Sequence, residues 1–219
     1  MKTLVFASQK GGGGKTTLSG HIAVEAEKWG QYGPVVMIDM DPQASLTGWF
    51  RERSSETPIL VRILPEGLSA TLAELRVSEV GLVVIDTPPA ITESIRETCR
   101  LADLVVIPTK PSPHDLRAVG ATVDIVDSVH RPMVFVVNQA TQRARITADV
   151  AVSLSQHGTV APVTIHHRVD FPTSMIDGRV VVELDPDSKS AIEISALWNY
   201  LATRIEKVTA DGKSAPAAA

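Results

Sequence analysis

Near the start of the chain, Lys10-Gly11-Gly12-Gly13-Gly14-Lys15-Thr16-Thr17 gathers two lysines, two hydroxyls and an unbroken run of glycines. That combination can hold an anion. Glycines let successive backbone N–H groups turn toward one centre, and a helix starting directly after them aims its positive end at the same point. The apolar run at 4–7 reads as a strand and 15–29 as a helix, which is the setting a phosphate loop requires. In that setting the backbone from Gly11 to Thr17 cradles the phosphates of a nucleotide, Lys15 reaches the β- and γ-phosphates, and the Thr16 hydroxyl completes the coordination of Mg²⁺.

The loop departs from the common G-x-x-x-x-G-K-T arrangement, because Gln9 stands where that pattern has its first glycine, and a second lysine, Lys10, opens it. With that lysine the segment resembles the deviant Walker A family of ParA, Soj, MinD and the nitrogenase iron protein, whose pattern is K-G-G-x-G-K-T-T. The resemblance implies ATP and Mg²⁺ as cofactors, and a homodimer with ATP sandwiched between subunits. It gives Lys10 the role of reaching the phosphates held by the other subunit. A second cation there neutralises transition-state charge as an arginine finger does, and makes dimerisation depend on ATP.

Two acidic segments follow in the order the family has them. Val35-Val36-Met37-Ile38-Asp39-Met40-Asp41-Pro42-Gln43 looks like the D-x-D-P-Q segment after the second strand, and Leu82-Val83-Val84-Ile85-Asp86-Thr87-Pro88-Pro89 is similar to the Walker B and switch region. By resemblance, Asp41 orients the attacking water, Asp39 supports the magnesium shell and Asp86 holds Mg²⁺ through water. Strand-end aspartates also cap helices and turns. Asn138, after the run 134–137, stands where the family supplies an adenine-contacting asparagine, with a turn-forming asparagine as the rival reading. In Ile165-His166-His167-Arg168, histidines replace a proline that many relatives have before the arginine. Adjacent side chains on an extended chain point to opposite faces, so the two histidines make an awkward metal pair.

The resemblance further implies slow, partner-stimulated ATP hydrolysis by a partition or positioning ATPase of the small type without an N-terminal DNA-binding domain. Its ATP dimer binds DNA nonspecifically, and a ParB-like or other activating partner releases it, so that plasmid, chromosome or protein cargo is moved. Candidate DNA contacts are Arg143, Arg145, Arg168, Arg179, Lys189 and Arg204, but acidic residues are interleaved in nearly equal number, so a basic face must come from folding and dimerisation. The rival readings are a MinD-like membrane ATPase, a nucleotide-switched scaffold for a DNA-transfer or polar protein complex, and a small-molecule kinase on the same fold. A membrane role needs a basic amphipathic end, and this chain ends in alanine, proline and glycine.

The elements that must position these groups are short apolar runs at 4–7, 35–38, 82–85, 104–107 and 134–137, with weaker candidates at 58–63 and 160–165. Helical segments are expected at 15–29, 69–79, 112–129, 145–155 and 188–208. Runs that are apolar throughout, rather than alternating, demand cover on both faces, so the expected fold is α/β, a doubly wound, mostly parallel sheet. One P-loop domain over 1–208 and a disordered tail over 209–219 are expected. Composition agrees: 219 residues, 44% hydrophobic, 21% charged and a net charge of −4 give a single soluble domain with no overall attraction to polyanions. Cys99 is the sole cysteine, which removes disulfides and paired-cysteine clusters and suits a reducing cytoplasm, with association to the nucleoid as the expected location.

Overall fold

A computed structural model describes residues 1–90 and 92–214. Its strands are β1 (Lys2–Phe6), β2 (Val35–Asp39), β3 (Ile59–Arg62), β4 (Leu82–Asp86), β5 (Leu104–Thr109), β6 (Met133–Val137) and β7 (Thr159–Val160). They form one sheet in the order β3-β2-β4-β1-β5-β6-β7, with every neighbouring pair parallel. The helices are α1 (Lys15–Trp29), α2 (Ser45–Arg51), α3 (Leu68–Val77), α4 (Glu93–Arg100), α5 (Pro113–Ser128), α6 (Arg145–Ser155), α7 (Asp170–Ser174), α8 (Val181–Leu184) and α9 (Lys189–Ser214). The doubly wound α/β architecture is the one expected, and its central strands are buried along their whole length because helices lie on both faces. Among the described residues no helix is long and apolar enough to cross a membrane.

Strand parity decides which helices each residue meets. Leu4 and Phe6 of β1, Val35 and Met37 of β2, and Leu82 and Val84 of β4 pack with α1 and α9, through Leu18, Ile22, Leu197, Trp198 and Leu201. Val5, Val36, Ile38, Val83 and Ile85 pack on the other side with Leu72 of α3, Cys99 of α4 and Val123 of α5. Asp39 and Asp86 continue the first parity, so both carboxylates come up on the α1 side of the sheet's carboxyl edge, where the register sets them side by side. Phe6, the last residue of β1 before the loop, pairs with Asp86.

Three expectations need adjustment. The strand expected at 160–165 shrinks to Thr159–Val160, because Pro162 has no N–H to continue the ladder; the chain still runs beside β6 and makes a single bridge between Ala140 and His166. The last helix continues past Val208 to Ser214, so 209–214 of the tail expected to be disordered over 209–219 are helical, and 215–219 lie outside the described residues. The short α7 and α8 occupy a stretch with no helical pattern in the sequence, α7 containing Pro172.

Candidate nucleotide site

The phosphate loop leaves β1 and enters α1 with two left-handed glycines, Gly12 at φ 76° and Gly14 at φ 95°. Gly14 is obligatory twice over, since a Cβ there would sit 2.1 Å from the Asn138 amide nitrogen. α1 begins without a capping side chain and without an acidic residue in its first turn, whereas Thr92 caps α4 and Ser112 caps α5. The unused N–H groups and the positive helix end are therefore available to an anion inside the loop.

The side chains expected to act on that anion converge. Lys15 is buried and its ammonium lies 3.3 Å from the Ser8 carbonyl oxygen; burial lowers its pKa, against the opposing fields of Asp86 and Asp41. The Thr16 hydroxyl donates to Asp86 Oδ2 at 2.6 Å. Asp86 is fully buried, and its Oδ1 has no partner among the described residues. Burial pushes its carboxyl up to about 7, although the Thr16 hydroxyl and Lys15 pull the other way. An orphaned carboxylate oxygen beside a serviceable hydroxyl is a donor set that fits Mg²⁺, whose remaining oxygens would come from phosphate and water. No group of three His, Cys, Asp or Glu among the described residues could hold a metal without them.

The structure gives Asp39 different work from Asp86, although the two are neighbours in register. One Asp39 oxygen accepts from the Thr47 N–H (2.9 Å) and hydroxyl (2.6 Å), and the other from the Asp41 N–H at 3.0 Å. Asp39 thus ties α2 and the Asp41 turn to the sheet, the capping role that strand-end aspartates often play. Asp41 accepts from the Gln43 N–H at 2.9 Å and lines a cavity of about 640 Å³ shared with Gly11, Gly12, Lys15, Thr16 and Pro89. Trp49, from the same helix α2, lines it too, and its indole N–H donates to the Arg179 carbonyl at 3.1 Å.

Lys10 is brought to the loop's outer side and not into the cavity. Its ammonium pairs with Asp115 Oδ2 at 2.9 Å, and the same oxygen accepts from the Ser112 hydroxyl at the start of α5. Neither Asp115 nor Ser112 stood out in the sequence, because they are ordinary helix-capping types far from the loop in the chain. Asn138 is buried at the end of β6 and donates to the Gly13 carbonyl at 2.8 Å, while Gln139, in left-handed conformation at φ 55°, reaches the Gly12 carbonyl at 3.3 Å. Beyond them a second cavity of about 240 Å³ is lined by Thr17, Asn138, Gln139, His166, His167, Arg168 and Phe171.

The candidate DNA contacts are not equivalent. Arg168 pairs with Glu193 at 2.5 Å, Arg179 with Asp177 at 2.7 Å, and Arg204 bonds the Thr159 hydroxyl at 3.3 Å. Arg143, Arg145 and Lys189 are exposed, without an ion-pair partner among the described residues.

A family model described as the CobQ/CobB/MinD/ParA nucleotide binding domain matches residues 4–181. The maintenance of carboxysome distribution protein A of Halothiobacillus neapolitanus is 29% identical over 209 residues, covering 90% of this chain and 94% of that protein. Among solved structures, a Cyanothece McdA variant in complex with ATP superposes with a TM-score of 0.73 at 18% identity, covering 96% of each chain. The septum site-determining protein MinD of Pyrococcus horikoshii, complexed with Mg-ADP, superposes with a TM-score of 0.78 at 14% identity, covering 94% of this chain and 98% of that one.

Proposed function

The chain belongs to the CobQ/CobB/MinD/ParA nucleotide-binding family, with ATP and Mg²⁺ as the ligands of its site, and from that premise we propose a positioning ATPase that works as an ATP-sandwich dimer on nonspecific DNA. A partner protein stimulates slow hydrolysis and so releases the dimer. The observation that carries this reading is the second lysine: Lys10 stands outside a loop whose own Lys15, Thr16 and Asp86 are already assembled, its ammonium tethered among the described residues only to Asp115. A cation left over at the mouth of a complete site is suited to another subunit's phosphates. The resemblance to a carboxysome distribution protein favours a protein body as cargo over a plasmid or chromosome.

The chain's own residues divide the work. Backbone N–H groups of the loop and the start of α1 bind the phosphates, and Lys15 neutralises the β,γ bridge. Thr16 and Asp86 would hold Mg²⁺, which when bound draws charge from the γ-phosphoryl oxygens. Asp41 aligns a water for in-line attack, and Asp39 fixes the turn that carries Asp41. Lys10 of the partner subunit completes the charge neutralisation. Exposed Arg143, Arg145 and Lys189 supply DNA phosphate contacts, doubled by the dimer.

Binding to random-sequence duplex DNA with ATP, ADP or no nucleotide, at two salt concentrations, tests this. The expected result is binding that requires ATP, weakens with salt and persists in Asp41→Ala, which retains ATP without hydrolysing it. DNA binding that ignores nucleotide, or none at all from an ATP dimer, would overturn the proposal.

A further inference from the structure

The outer side of the phosphate loop carries another lysine besides Lys10. Lys110 follows β5 directly and is partly buried, with its ammonium against the loop: a Cβ on Gly12 would lie 3.7 Å from Nζ. It has no hydrogen-bond or ion-pair partner among the described residues, and like Lys10 it does not line the cavity shared by Lys15, Thr16 and Asp41. Among the described residues the one carboxylate bonded to either lysine is Asp115, which is buried and accepts from Lys10 at 2.9 Å and from the Ser112 hydroxyl. The outer side thus holds one cation more than it pairs.

That surplus matters when Lys10 leaves for a second subunit. Asp115 would then keep only the Ser112 hydroxyl, and a buried carboxylate stripped of its counter-charge opposes the exchange more strongly than the loss of a surface ion pair would. His114 and Arg117 sit one and two residues from Asp115 on α5, spacings that do not face one another on a helix. Lys110 is better placed. The turn that opens α5 holds its backbone, the Ser112 N–H bonding the Lys110 carbonyl at 2.8 Å, and its ammonium rests against Gly12, two residues and at most about 7 Å along the chain from Lys10. A compact ammonium on a flexible four-carbon stem is suited to cross that gap.

Resting on the ATP-sandwich reading above, we infer that Lys110 is a relay for Asp115: as Lys10 moves to the second subunit's nucleotide, Lys110 leaves Gly12 and takes its place on the carboxylate. One cation is freed and no buried anion is left unpaired. Lys110 is a positioning residue, acting through Asp115 and touching no nucleotide.

A double-mutant cycle read as the protein concentration at half-dimerisation with ATP tests this, alongside ATP titration of the monomer. Lys110→Gln raises that concentration about tenfold, the scale of one charge-assisted hydrogen bond, and leaves monomer ATP affinity as it was, while Lys110→Arg stays near wild type. In the Asp115→Asn background, where no carboxylate needs a replacement cation, Lys110→Gln changes it less than twofold. An unchanged dimer in Lys110→Gln overturns the inference. The same loss in both backgrounds, which a direct contact to the second subunit's phosphates would give, overturns it too, as does weaker ATP binding by the Lys110→Gln monomer. Failure of the wild type to dimerise with ATP overturns the ATP-sandwich reading itself, and the inference with it.

Discussion

The two sides of the phosphate loop are built on opposite plans. On the inner side, Lys15, Thr16, Asp86 and Asn138 belong to one chain, are buried or nearly so, and already touch one another or the loop backbone. On the outer side, Lys10 has its side chain about two-fifths exposed (42%) and is held by Asp115, a contact that must break before the lysine can serve a second subunit. The inner side is ready for nucleotide; the outer side is ready only for exchange of one carboxylate for another anion. On the proposed function, binding and dimerisation are separate events with separate residues, which is what a switch set by ATP needs.

Lys15→Ala should break the inner side most severely. Two charge-assisted phosphate contacts of about 1.5–3 kcal/mol each are lost, so ATP affinity falls by about a hundredfold or more in a binding titration. Lys10→Ala should leave ATP affinity within a few fold of wild type and abolish the ATP-dependent dimer by light scattering. Equal defects in both variants would erase the distinction between the two sides.

The firmness of the inner side also rests on His21, fully buried one turn beyond Thr17, where Nδ1 meets the Thr17 carbonyl at 2.8 Å, the ring packs on Phe171 at 5.2 Å, and Glu183 exerts an attractive field. Burial pushes its pKa down from 6.5 to about 4. A group whose folded pKa is depressed in this way is protonated first in the unfolded chain, so its contribution is intact above pH 6.5 and is lost as pH falls toward 4. The loss amounts to about 3 kcal/mol, visible in denaturant titrations as a drop in the midpoint that a His21→Gln variant does not share. The smallest effect sharpens the outer side: Asp115→Asn should release Lys10 and tighten the ATP dimer about two- to fivefold, the scale of one partly exposed ion pair, read as a lower concentration at half-dimerisation.

What the sequence made legible follows from how local the physics is. The loop could be read residue by residue, because glycine freedom, a following helix and the Lys15-Thr16 pair are contiguous and each has one chemical use. The sheet was legible because its central strands are uniformly apolar. Asp39 and Asp86 end similar strands and looked alike; only the fold shows that Thr47 and the Asp41 N–H occupy both oxygens of the first while one oxygen of the second is orphaned. Asp115 and Glu193 were invisible for the same reason, since their partners Lys10, His166 and Arg168 are supplied by packing between distant elements. The basic candidates Arg168 and Arg179 read as phosphate contacts until their neutralising carboxylates were seen.

The central claim, that Lys10 exchanges Asp115 for the nucleotide of a second subunit, is tested most directly by sedimentation of wild type and Lys10→Ala with ATP and with ADP. The account predicts a wild-type dimer with ATP alone, and a Lys10→Ala protein that stays monomeric while still binding ATP. A dimer that forms in ADP, or that survives the loss of Lys10, would contradict it.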